Sequence, residues 1–280
     1  MAVLDFILNC VCLLLWLNWR SRGLTSLPSA PGIALIGTLK RAERRRAERW
    51  PSSLALVVIL FARAVLYAEL GSSTRWTPSL SFGSIALHFR TDDFVRMLLF
   101  SFLGFAMFLA VFYFSLFLIA AVNRSAPKDE PWTALLRAHL GIFARLPASL
   151  MLLAPFLIAF VFWIVLCPMF EKLQLTVATK SFSRVAEQAL VIGLSAWTLW
   201  QYVVAVLLVL YIVSSYVYLG SAPFWNFIAL TARNLLSPLS AVPLRLGKID
   251  LAPLFGLAMV IVFALYAHRG LALLYAKLAV

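Results

Sequence analysis

The chain has 280 residues, enough by length alone for one large or two small water-soluble domains. Hydrophobic side chains make up 63% of it against roughly 45–50% in soluble proteins, and charged ones 12% against about 25%, so a soluble surface cannot be covered and disorder is excluded as well. The net charge of +13, from 24 Lys and Arg against 11 Asp and Glu, would point to nucleic acid in a soluble protein; in a membrane chain it reads first as the cytoplasmic excess of basic residues.

Six stretches are apolar over about the 20 residues that a helix needs to cross some 30 Å of hydrocarbon. The first, 3–19, has no basic leader and no small-x-small exit, and Trp16, Asn18, Trp19 and Arg20 close it, so it reads as a retained anchor rather than a cleaved signal. The second, 54–70, carries Arg63. The third, 97–122, is rich in phenylalanine from Phe100 to Phe117. The fourth, 148–170, is interrupted by Pro155 and ended by Cys167-Pro168. The fifth, 189–219, exceeds what a crossing requires, so it tilts or begins among the headgroups. The sixth, 251–267, opens on Leu251-Ala252-Pro253, where a missing N–H costs little. Trp19, Trp50, Tyr67, Trp76, Tyr218 and Trp225 fall near span ends, as interfacial aromatics do.

The expected fold is all-α, a polytopic transmembrane helical bundle of about six spans arranged as three helical hairpins. The corresponding segments are 1–71, with a basic cytoplasmic loop, 72–172, and 173–280. Connections after spans one, three and five hold eight, four and three Lys or Arg; the opposite side holds none, three, three and two. The richer side is expected in the cytoplasm, leaving both termini extracytoplasmic. Leu66-Tyr67-Ala68-x-x-Gly71 recurs as Leu265-Tyr266-Ala267-x-x-Gly270, an internal repeat relating the first and last hairpins.

After the third span, Pro131-Trp132-Thr133 starts a helix with Asp129 and Glu130 at its positive end. Trp132, Leu135, Leu136, Leu140, Phe143 and Leu146 share one face, with Arg137 and Arg145 off it. Two readings stand: a helix in the headgroup plane, or an apolar face packed on the bundle. Residues 225–236 give a blurrier wheel, with Phe227 and Leu230 off the main stripe.

Ala222-Pro223-Phe224-Trp225-Asn226-Phe227, then Asn234-Leu235-Leu236-Ser237-Pro238-Leu239, then Leu246-Gly247-Lys248-Ile249-Asp250-Leu251-Ala252-Pro253-Leu254 resemble the repeat of the YggT (YlmG) family of integral membrane proteins. The resemblance is clearest over about 202–270. The family's basic doublet falls here on Ser240 and Ala241, its earlier arginine on Ser237 and its second glycine on Lys248. If those arginines hold anionic headgroups, this copy loses about 1 kcal/mol per missing basic residue. Lys40, Arg41, Arg44, Arg45, Arg46 and Arg49, against Glu43 and Glu48, place a compensating +4 in the first loop. The resemblance implies a bacterial inner-membrane factor in envelope or membrane organisation, with no catalytic residues to transfer.

Arg63 lies near the middle of its span, where a charge costs about 2.5–3.5 kcal/mol on insertion scales and normally finds a partner or water. In an antiparallel hairpin its depth matches Asn9 and Cys10, with Asp5 about one helical turn further out, within a guanidinium's reach. The structural reading is a pair that ties the first hairpin together; the functional one is part of an ion or solute path. Asp250 is placed to cap the helix that begins before Pro253, with a lipid or ion contact as the sharper alternative; Gly247 reads as a turn residue. His88, His139 and His268 fit no metal-ligand spacing, and no phosphate loop or nucleophile elbow is present. Cys10, Cys12 and Cys167 form no CxxC pair and read as small hydrophobes.

The sequence thus points to a non-enzymatic scaffold or assembly factor without cofactor. Its expected partners are the bilayer, including anionic lipids, and other membrane proteins, but not nucleic acid. Self-association is left open. The alternative is a component of an ion or solute transport pathway, with a water-lined cavity converging on Arg63 and Gln201.

Overall fold

The computed structural model describes residues 2–21, 50–74, 77–83, 85–91, 93–126, 131–176, 181–217, 222–242, 244–246 and 249–278. The basic loop with Lys40, Arg41, Arg44, Arg45, Arg46 and Arg49, together with Trp76, Asp129, Glu130, Tyr218, Gly247 and Lys248, lies outside the described residues. The chain is an all-α polytopic bundle in which six helical stretches are long and apolar enough to cross a membrane. They are α1 (Ala2–Ser21), α2 (Trp50–Thr74), α3 (Phe94–Val122), α5 (Ala148–Lys172), the pair α6 (Phe182–Ala196) and α7 (Trp200–Tyr216), and α9 (Ala252–Leu278). Shorter helices α4 (Pro131–Leu140) and α8 (Pro223–Leu236) follow α3 and α7. Large apolar side chains such as Val165, Phe263 and Leu273 stand exposed along these helices, as they must where hydrocarbon is the solvent.

The chain divides into two compact units, residues 1–78 with 89–110, and residues 79–88 with 111–280. In the first, α1 packs along α2. Cys12, Leu60 and Phe105 form its buried centre, with Trp16, Leu56, Ile59 and Leu109 against them. Edge-to-face rings join Phe6 to Phe108 and Phe61 to Phe102.

In the second unit α5 runs most extensively against α6, and α7 against α9. Glycine permits the close approaches: a Cβ on Gly193 would stand 2.9 Å from the Phe156 ring, and one on Gly256 would stand 2.7 Å from Leu236 Cδ2. The Trp197 indole N–H donates to the Leu152 carbonyl at 2.9 Å and that of Trp200 to the Phe114 carbonyl at 3.0 Å. The partner of α5 is therefore the helix after it in sequence.

Four expectations are refined. α5 runs unbroken through Pro155 and Pro168 to Lys172, because neighbouring helices can satisfy the carbonyls that an interior proline frees. The fifth span is the 35-residue stretch Phe182–Tyr216, about 52 Å at 1.5 Å per residue, with a 3₁₀ turn at Trp197–Leu199; the part before the turn packs on α5 and α9, the part after it on α9. α4 ends at Leu140, where Gly141 takes φ 58° and a 3₁₀ turn Gly141–Arg145 follows, so the face read as continuing to Leu146 belongs to two elements. The sequence reading also contained no strands. The structure has β1 (Ser79–Phe82) antiparallel to β2 (Ile85–His88), and the two-residue pair β3 (Arg245–Leu246) and β4 (Ile249–Asp250).

The repeat relates residues in unlike surroundings. Tyr67 is fully buried while Tyr266 is 70% exposed. A Cβ on Gly71 would collide with Thr91, whereas one on Gly270 would meet open space.

Candidate functional site

Two polar clusters stand out, one in each unit. The first lies between α1 and α2. Asp5 and Asn9 are four apart on α1, Arg63 and Tyr67 four apart on α2, so each pair projects from one helical face. Arg63 Nη1 donates to Asn9 Oδ1 at 2.7 Å and Nη2 to Asp5 Oδ1 at 2.5 Å. The Tyr67 hydroxyl donates to the same carboxylate oxygen at 2.8 Å, and Asn9 Nδ2 to Asp5 Oδ2 at 3.2 Å. The guanidinium carbon sits 5.4 Å from the Tyr67 ring centre and 5.9 Å from that of Phe100, within cation–π range.

Burial matters here more than the number of contacts. The Arg63 side chain is wholly inaccessible while Asp5 keeps 29% of its surface, so the cation relies on the protein for its counter-charge. The guanidinium Nε lacks a hydrogen-bond partner, a residual cost of placing it there. The structure therefore brings Arg63 to Asn9, one of the two residues expected at its depth, and to Asp5, expected a turn further out, and adds Tyr67 to the cluster. Tyr67, read from the sequence as an interfacial aromatic, is enclosed and hydrogen-bonded; its spacing of four from Arg63 was the available signal.

The second cluster ties the end of α3 to α8. Asn123, 3% exposed, donates from Nδ2 to Thr231 Oγ1 at 2.7 Å, and the Thr231 hydroxyl donates to the Phe227 carbonyl at 2.8 Å. Asn234 Nδ2 returns a bond to Asn123 Oδ1 at 3.0 Å. Beside it, Trp132 of α4 meets Phe224 edge-on at 5.5 Å and lies nearly parallel to Phe227 at 6.3 Å. Phe227, Ile228, Thr231 and Ala232 form the buried stripe of α8, so Phe227 belongs on the stripe from which the wheel had separated it. On α4, Thr133, Leu136 and Leu140 turn inward, while Leu135, Ile142 and Phe143 stay exposed. The buried residues fit an apolar face packed on the bundle. The Arg124 guanidinium donates to the Leu146 carbonyl at 2.6 Å and fixes the far end. Asn123 and Thr231 carried no sequence signal; Asn234 opened one of the segments resembling the YggT repeat.

The remaining candidates are dispersed. Asp250 Oδ1 accepts the Ala252 N–H at 3.0 Å, at the start of α9. Pro253 is buried in the first turn of that helix, and Pro238 lies exposed in the 3₁₀ turn Ser237–Ala241. Gln201 Nε2 lies 3.0 Å from His268 Nε2, linking α7 to α9. Comparison of the chain with protein-family models, with curated proteins and with solved structures gave no match.

Proposed function

We propose that the protein is a non-enzymatic scaffold or assembly factor of the YggT type in a bacterial inner membrane, with extracytoplasmic termini and α4 and α8 on the cytoplasmic side. The observation that carries this reading is the paired surface made by those two helices. Asn123, Thr231, Asn234 and Trp132 hold it rigid, yet Leu135, Ile142 and Phe143 remain uncovered, with Arg145 and Arg233 exposed on the same connections. Hydrogen-bonded support for exposed apolar side chains, with cations exposed on the same connections, suits a membrane-proximal partner or an anionic lipid surface. The transport alternative has less support: Arg63 is enclosed by Asp5, Asn9 and Tyr67, and Gln201 is engaged with His268.

A photo-cross-linking residue at Ile142 tests the proposal in native membranes, with the lipid-exposed position of Phe263 as control. A discrete protein adduct from Ile142 alone is the expected result. No adduct, no co-purifying protein and a solute flux in proteoliposomes would overturn the scaffold reading in favour of transport.

A further inference from the structure

The β1–β2 hairpin sits at an unexpected depth. A crossing of about 30 Å takes roughly 20 residues, and wherever such a window is placed within Ala148–Lys172 it contains residues 153–167. Phe156 and Phe162 of α5 are therefore at hydrocarbon depth. The Phe82 ring stacks on Phe162 at 5.8 Å. Gly83, at the hairpin tip with φ 62°, abuts Ser195 of α6, two residues beyond the Gly193 that packs on Phe156. The tip of a hairpin connecting two spans is thus held against the middles of two others.

Its two faces differ. Cross-strand pairs Leu80–Leu87 and Phe82–Ile85 point toward the helices, with Leu87 fully buried and Ile85 6% exposed. The opposite face carries the pairs Ser79–His88 and Ser81–Ala86, and all four residues are exposed. A two-stranded sheet also presents unpaired main-chain N–H and C=O groups along both edges. Lipid can satisfy neither those edges nor the serine hydroxyls and imidazole, and non-helical backbone persists at this depth only inside protein or beside water.

We propose that the hairpin is re-entrant and that its Ser79, Ser81, Ala86 and His88 face lines a water-filled vestibule. It opens on the side of the α2–α3 connection and admits water and small polar solutes toward Gly83. Four residues per strand at about 3.3 Å make it some 13 Å deep. This inference stands apart from the scaffold reading, since a closed-ended vestibule can coexist with it.

The test uses full-length protein in liposomes and a membrane-impermeant charged maleimide. Ser81→Cys and Ala86→Cys are compared with Thr77→Cys at the exposed hairpin base and Val165→Cys on the lipid face. A thiol in hydrocarbon cannot ionise, so Val165→Cys should react at least about 100-fold more slowly than Thr77→Cys, while Ser81→Cys and Ala86→Cys stay within about tenfold of it. Ser81→Cys and Ala86→Cys as slow as Val165→Cys would overturn the vestibule. In parallel, a bimane at Val161→Cys, beside Phe162, should be quenched best by mid-chain nitroxide lipid. Quenching chiefly by headgroup nitroxide would place the hairpin at the surface and refute re-entry.

Discussion

Replacing Asp5 with Asn removes the negative charge that faces Arg63 while keeping the side chain's size. Three hydrogen bonds converge on that carboxylate, from Arg63, Tyr67 and Asn9, and only the Asn9 carbonyl remains as an unaltered acceptor for the guanidinium. Stripping one partner from a buried ion pair costs about 3–5 kcal/mol. The 29% exposure of Asp5 and the surviving Asn9 contact place the expected loss near the low end, about 3 kcal/mol. Arg63→Leu leaves an acid that can still hydrate and should cost less. The double change Asp5→Asn with Arg63→Leu removes both charges, so it should recover much of the loss, because no desolvated ion is left without its counter-charge. The assay is a double-mutant cycle on detergent-solubilised protein, reading unfolding midpoints against a denaturing-detergent titration. A double mutant as unstable as the sum of the singles would refute the argument, because it would show that the two residues act independently.

Tyr67→Phe should weaken the same cluster by about 1 kcal/mol, the usual value of one hydrogen bond, measured in the same titration. Gly83→Ala should displace the hairpin, since the new methyl meets Ser195 and the backbone is left-handed there; faster proteolysis at the α2–α3 connection would report it. Asn123→Leu should free α8 by leaving Thr231 and Asn234 without their shared partner, at about 1–3 kcal/mol, and should abolish the cross-link expected from Ile142. Trp132→Ala should act on that cross-link in the same direction, since its ring packs on Phe224 and Phe227 of α8.

The spans were legible because hydrocarbon imposes a length and a composition on any helix that crosses it, and 54–70 or 148–170 could hardly do anything else. Arg63 was legible for the same reason: a lone charge in such a run demands a partner, and helical depth pointed to Asn9 and Cys10, with Asp5 a turn further out within the guanidinium's reach. What the sequence hid were features that depend on which element meets which. The hairpin at 79–88 is too short and too rich in serine to announce itself between two spans, and its burial pattern emerges only from α5 and α6. The stripe on α8 was blurred because Phe227 finds Trp132 of another helix, which periodicity within 225–236 cannot show. Pro155 reads as an interruption in sequence because an interior proline removes a helical hydrogen bond, whereas α5 continues through it where packing supplies the compensation.

Asp5 and Arg63 are 58 residues apart, and that separation has a consequence for how the protein is made. At 5–20 residues per second, a ribosome adds Asp5 about 3–12 s before it adds the arginine that neutralises it. During that interval the acid is one turn from the amino end, close enough to headgroups to wait there hydrated. Its counter-charge arrives only with α2, so the bond that ties α1 to α2 is available no earlier than the synthesis of the second helix.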